Sequence, residues 1–170
     1  MHNVPIPFSQ FNSLSDADCQ ERIRAARAKL GKKAVILCHH YQRADVYQHA
    51  DLTGDSLKLA KLAAQTDAEY VVFCGVHFMA EVADLMTAPQ QTAILPDLAA
   101  GCSMADMANL AKVERCWREL SSVLPAEQEV TPVTYINSAA DLKAFCGEHG
   151  GIVCTSSNAG TIAQWAFAQR

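Results

Sequence analysis

The 170-residue chain is half hydrophobic and carries 14 basic against 18 acidic residues, for a formal net charge of −4. Such a composition supports a substantial globular core, and the lack of a basic run argues against nucleic acid or an anionic membrane as the main partner. No window reaches the roughly 18–20 apolar residues of a membrane helix, residues 1–16 show no secretory signal, and seven cysteines without CxxC spacing point to reduced thiols in a cytoplasmic setting.

After a proline-containing lead-in, residues 15–31 predict a helix, with Ser15 as N-cap, Asp18 three residues on and Gly31 as the stop. Short apolar runs at 34–38, 70–74, 92–95, 133–136 and 151–154 predict parallel strands buried on both faces. Helical periodicity fills the intervals 55–66, 77–86, 104–124, 138–149 and 158–170. The polar stretch 121–132, with two prolines, reads as a loop or boundary. The alternation predicts α/β architecture, with helices on both sheet faces.

In an open parallel sheet, ligands bind beyond the carboxyl ends of the strands. The residues there are His39-His40-Tyr41-Gln42, then Gly75 and His77, then Asp97 and Gly101-Cys102-Ser103, then Asn137-Ser138, and finally Thr155-Ser156-Ser157-Asn158. Strong hydrogen-bonding groups in all five loops point to a shared active site. Singly, each has two readings. His39 and Tyr41 suit acid, base or carboxylate-binding roles, or His39 is a structural hydrogen-bonder. Asp55 or Ser56 caps a helix, or Ser56 binds an anion. Residues 154–160 form an anion cradle or an ordinary cap. His77 reads as packing.

Cys102 lies between a strand and a predicted helix. A helix N-terminus there would stabilise its thiolate, suiting a nucleophile or a metal ligand. Cys38, Cys74 and Cys154 end apolar strands and read as core; Cys116, beside Trp117, reads as packing.

The ordered motifs "HHYQ" (39–42), "GDSLKLA" (54–60), "VVFCGVHFMAEVADLM" (71–86), "ILPDLAAGCSMAD" (94–106), "VTYINSAADLKA" (133–144) and "VCTSSNAGTI" (153–162) resemble the quinolinate synthase family. The resemblance implies three-layer αβα units with short parallel sheets: a first unit over 1–102 including the N-terminal helix, an incomplete second over 103–170, and an absent third. It also implies condensation of iminoaspartate with dihydroxyacetone phosphate to quinolinate, releasing phosphate and water, in de novo NAD biosynthesis. The implied cofactor is a [4Fe-4S] cluster held by three cysteines, of which Cys102 is the one present here, with an open iron acting as Lewis acid. The implied catalytic residues are His39, Tyr41 and Tyr135; the substrate-binding residues are His39, Ser56, Tyr135, Asn137 and Ser156. The implied partners are the two small substrates and an L-aspartate oxidase that supplies iminoaspartate. Because two cysteine ligands are missing, two other readings stand beside the enzyme: a dicarboxylate- or phosphate-binding module without a cluster, and an inactive remnant.

Overall fold

The computed structural model describes residues 7–124 and 130–169. The start of the lead-in, the middle of the predicted 121–132 loop and Arg170 lie outside the described residues.

The chain is an α/β protein with two short parallel sheets. Strands β1 (Ala34–His39), β2 (Leu52–Gly54), β3 (Tyr70–Cys74) and β4 (Thr92–Ile94) form the first, in the order β2-β1-β3-β4. Strands β5 (Val133–Tyr135) and β6 (Ile152–Cys154) form the second. The helices are α1 (Asp16–Leu30), α2 (Ala44–Tyr47), α3 (Ser56–Gln65), α4 (His77–Met86), α5 (Leu110–Val123), α6 (Ala140–Glu148) and α7 (Ala159–Phe167). The chain leaves β1 for β2 on one side and builds β3 and β4 on the other, which opens a crevice at the carboxyl ends of the strands.

Helix α1 begins as its sequence predicts. The Ser15 hydroxyl accepts from the Asp18 N–H at 3.2 Å, and the Asp18 carboxylate accepts from the Ser15 N–H at 3.2 Å and its hydroxyl at 2.6 Å. The helix buries no residue. Polar ties hold it instead: Arg27 donates to the His49 carbonyl and to Asp51, and Asp51 also accepts from the Ile36 N–H of β1 at 2.8 Å.

Helices α3 and α4 cover one face of the first sheet. Val35, Leu37, Val71 and Phe73 point into a core with Leu59, Ala63, Phe78, Met79 and Ala83. Ile36 and Val72, on the other face, are only half buried. The continuous apolar runs predicted burial on both faces, and the structure buries the face under α3 and α4 more completely than the other. β4, β5 and β6 contain no buried residue. Cys38 is fully buried as predicted, whereas Cys74 and Cys154 are half buried.

The predicted helix 104–124 is divided. A single 3-10 turn spans Ala105–Met107, and α5 starts only at Leu110 because the Asn109 side chain accepts from the Lys112 N–H at 3.0 Å, an N-cap that terminates anything before it. Among α5 side chains Trp117 meets Phe145 of α6 and His149 just after it at ring separations of 5.7 and 4.7 Å. Cys116, the neighbour of Trp117 on α5, is exposed and so is not the packing residue expected.

The second sheet docks on α3 and α4. Ile136 is buried with Ala60 and Val82, and Tyr135 and Val153 pack beside them. The Lys143 ammonium lies 5.5 Å over the Phe78 ring; burial pushes its pKa down to about 8, against the opposing pull of Glu81 and Asp141. The connection from α6 into β6 is tight: Gly150 adopts φ +70°, which an L side chain resists, and the Gly151 N–H donates to the Cys146 carbonyl at 2.7 Å.

Candidate active site

A cleft of about 710 Å³ opens where the two sheets meet, and His39, Tyr41, Ser56, Cys102, Tyr135, Asn137 and Ser156 all line it. They come from both sheets. His39 ends β1 and Tyr41 follows it; Ser56 opens α3; Cys102 comes from the segment after β4; Tyr135 ends β5 with Asn137 just beyond; Ser156 follows β6. The β3 loop does not take part: neither Gly75, His77 nor Asp97 of the next loop is in the lining, and α4 contributes Met79. His77 is exposed rather than packed, with its Nδ1 3.4 Å from Glu81.

The imidazole of His39 sits with its residue only 5% exposed. Burial, reinforced by the adjacent His40 and opposed by Asp55, pushes its pKa down to about 4, so the ring is neutral at pH 7. Its Nδ1 accepts from the Tyr41 N–H at 3.4 Å, which leaves the ring proton on Nε2 as a donor. Tyr41 stacks at 3.8 Å between ring centres, tilted by 39°. Burial, and then the negative charge of a Cys102 thiolate, raise the Tyr41 pKa above its ordinary value.

Asp55, not Ser56, caps α3: its carboxylate accepts from the Lys58 N–H at 2.8 Å. The Ser56 hydroxyl is thereby left to the cleft, and the N–H groups of Ser56 and Leu57 belong to the helix end that has no intrahelical acceptor. Lys58 and Lys61 line the same wall against a single carboxylate, Asp55, so the cleft is locally cationic in a chain that is acidic overall. These lysines lie one turn apart behind Ser56, and the helical period of 55–66 was the available signal for them.

On the opposite wall the Tyr135 hydroxyl and Ser156 Oγ are 2.6 Å apart. Thr155 closes its own turn: its N–H and hydroxyl both donate to Asn158 Oδ1, at 2.7 and 3.0 Å. The 154–160 stretch is therefore a closed turn and a cleft wall, and α7 starts without the side-chain cap that was the other reading. Asn137 Nδ2 donates toward Cys102 Sγ at 3.9 Å.

Cys102 is half buried; it packs on the first core and also lines the cleft. It does not stand at a helix N-terminus, because only a 3-10 turn follows, closed by the Asp106 N–H on the Cys102 carbonyl at 2.9 Å. The macrodipole argument for its thiolate does not hold. Among the described residues no three His, Cys, Asp or Glu side chains converge as a metal site. Among the described residues Cys102 is the one thiol in the lining of the cleft. No described helix is long and apolar enough to cross a membrane.

The family model described as quinolinate synthetase A protein matches residues 21–170. The chain is 59% identical over 157 residues to a quinolinate synthase of Acidobacterium capsulatum, covering 92% of this chain and 42% of that protein. It is 61% identical over 157 residues to one from a Nocardioides species and 60% identical over 158 residues to one from Streptomyces coelicolor, each covering 92% of this chain and 40% of the relative. The chain thus spans well under half the length of these curated relatives.

Proposed function

The chain belongs to the quinolinate synthase family, and we propose that its cleft is the iminoaspartate-binding part of a site that condenses this imine with dihydroxyacetone phosphate to quinolinate, releasing phosphate and water. The observation that carries this reading is the convergence of seven separately positioned side chains, from two sheets, on one locally cationic cleft. His39 donates its Nε2–H to one substrate carboxylate; being neutral, it binds by hydrogen bonding rather than by charge. The Ser56 hydroxyl, beside the open N–H groups of α3, takes a carboxylate too. Ser156 and Asn137 bind the diacid from the facing wall. Tyr41 and Tyr135 hold protons at their hydroxyls, ready to be passed to or from the closing ring.

A [4Fe-4S] cluster, when bound, would supply Lewis-acid polarisation of a substrate oxygen. In this proposal Cys102 is its one ligand from these residues, and the remaining ligands come from outside them. The role in NAD biosynthesis, the cytoplasmic location, an L-aspartate oxidase as the source of iminoaspartate, and the division into units 1–102 and 103–170 belong to the same reading. The separate sheets support the division.

For the 170 residues alone, a second reading is favoured by the single thiol in the cleft: diacid binding without cluster or turnover. Calorimetric titration with pyridine-2,3-dicarboxylate tests the binding. Saturable uptake that is lost in both His39→Ala and Ser56→Ala supports it; unchanged uptake in both variants overturns it. In a full-length family protein carrying this segment, Cys102→Ser abolishes cluster absorbance near 400 nm and Cys116→Ser does not. Equal loss in both contradicts the ligand assignment.

A further inference from the structure

One side chain outside the cleft holds the far wall in place. Helix α6 starts at Ala140 behind an alanine, Ala139, which has no side-chain cap to offer its first N–H groups. Glu81 of α4 supplies the acceptor from another element: its Oε2 takes the Ala140 N–H at 3.0 Å, across 59 residues of sequence. The carboxylate is mostly buried, with 14% of the side chain exposed. Its other oxygen is 3.4 Å from His77 Nδ1.

Behind this bond lies a chain of contacts into the cleft loop. Lys143 of α6 donates to the Ser138 carbonyl. The buried Ser138 hydroxyl donates to the Tyr135 carbonyl at 2.8 Å and accepts from Thr134 Oγ1 at 3.2 Å. Asn137 sits between these anchored residues. The first residue of α4 also reaches the other wall, since the His77 N–H donates to the Ala100 carbonyl at 2.9 Å, two residues before Cys102. One helix therefore grips both loops whose side chains meet as Asn137 and Cys102.

We propose that Glu81 is a positioning residue: by tying the start of α6 to α4 it fixes where Asn137 and Tyr135 stand relative to Cys102 and Ser156. It touches no ligand and acts through Asn137. This rests on the reading of the cleft as a diacid site only in its binding arm.

The test uses the 170-residue chain and four forms: wild type, Glu81→Ala, Glu81→Gln, and Glu81→Ala combined with Ala139→Ser. The extended backbone at residue 139 suits a serine cap, so the double variant restores a local acceptor for α6 without restoring the tie to α4. Three quantities are read: the melting temperature, the NMR positions of the Asn137 side-chain amide with no ligand present, and calorimetric affinity for pyridine-2,3-dicarboxylate. Glu81→Ala moves the Asn137 amide and weakens binding about tenfold, the equivalent of one hydrogen bond of roughly 1.4 kcal/mol. Glu81→Gln, which keeps an oxygen acceptor, returns both close to wild type. The double variant recovers the melting temperature and leaves Asn137 displaced. Overturning results are an Asn137 amide unmoved in Glu81→Ala, or full recovery of its position in the double variant, which would make Glu81 a helix cap and nothing more. If wild type does not bind the dicarboxylate, the functional reading fails while the amide positions still decide the role of Glu81.

Discussion

Replacing Gly151 with alanine should cost this protein about 3 kcal/mol, and the reason is backbone rather than side chain. A Cβ built on Gly151 lies 2.0 Å from the Pro132 carbonyl oxygen and 2.7 Å from both the carbonyl oxygen and the Sγ of Cys146. Two of those obstacles are main-chain atoms fixed by hydrogen bonds, the Ile152 N–H on Pro132 at 3.2 Å and the Gly151 N–H on Cys146 at 2.7 Å. Relief requires a shift of over an ångström that breaks one or both, at about 1 kcal/mol each, with a further roughly 1–3 kcal/mol for overpacking. Since β6 begins at Ile152 and delivers Ser156, dicarboxylate binding should weaken in parallel. The control is Gly160→Ala in α7, where the added Cβ meets nothing within 4 Å and alanine should stabilise by about 0.5–1 kcal/mol. Both changes restrict the unfolded chain alike, so their difference in urea denaturation isolates the clash. If the two variants differ by less than about 1 kcal/mol, which is below the smallest overpacking cost invoked, the tight α6–β6 connection is not as described.

Asp55→Ala removes the bond to the Lys58 N–H and should destabilise the chain by about 1 kcal/mol, the usual worth of a helix cap, while leaving dicarboxylate affinity equal or higher because the one carboxylate on the cationic wall is gone; a stable but non-binding variant would move Asp55 from cap to binding group. The His39 ring should titrate near pH 4 by NMR. Because its unfolded value is near 6.5, the unfolded chain binds a proton there that the folded chain refuses, so the stability due to this group is present above pH 6.5 and is lost as pH falls toward 4. Subtracting the pH profile of His39→Asn should remove that slope, and an identical profile in the variant would show the ring to be solvated. Lys143 behaves in the opposite part of the range: with a folded value of about 8 against 10.5, stability should rise between those pH values, a rise that Lys143→Met abolishes.

The cleft was legible because polar residues at the ends of apolar runs have no structural duty that explains all of them together. His39, Asn137 and Ser156 stand at such ends, and parallel strands force those ends to one edge. Glu81 was not legible, since within 77–86 an acid on a helix reads as a solvated face and its partner is 59 residues away. The division at Asn109 was hidden for a local reason: an asparagine inside an otherwise periodic stretch costs a helix little, and only the backbone turn at residues 105–107 turns it into a cap. Strand β2, three residues long and ending in glycine, is below the length at which a period of two can be recognised.

The two walls of the cleft belong to different sheets. Among the described residues, Ile136 is buried with Ala60 and Val82 where they join, with Tyr135 and Val153 packed beside them, and polar contacts cross the junction from Glu81 to the Ala140 N–H, from Lys143 to the Phe78 ring and from Asn137 to Cys102. Fixing the loops on either side of it has an entropic cost. In the proposed reading, a diacid that touches His39 and Ser56 on one wall and Asn137 and Ser156 on the other would add its binding energy to that junction, because it has nothing comparable to bind when the walls part. Ligand addition should then raise the melting temperature of the wild-type chain and raise it less in Glu81→Ala, where one polar tie between α4 and α6 is gone; an equal rise in both would separate binding from docking.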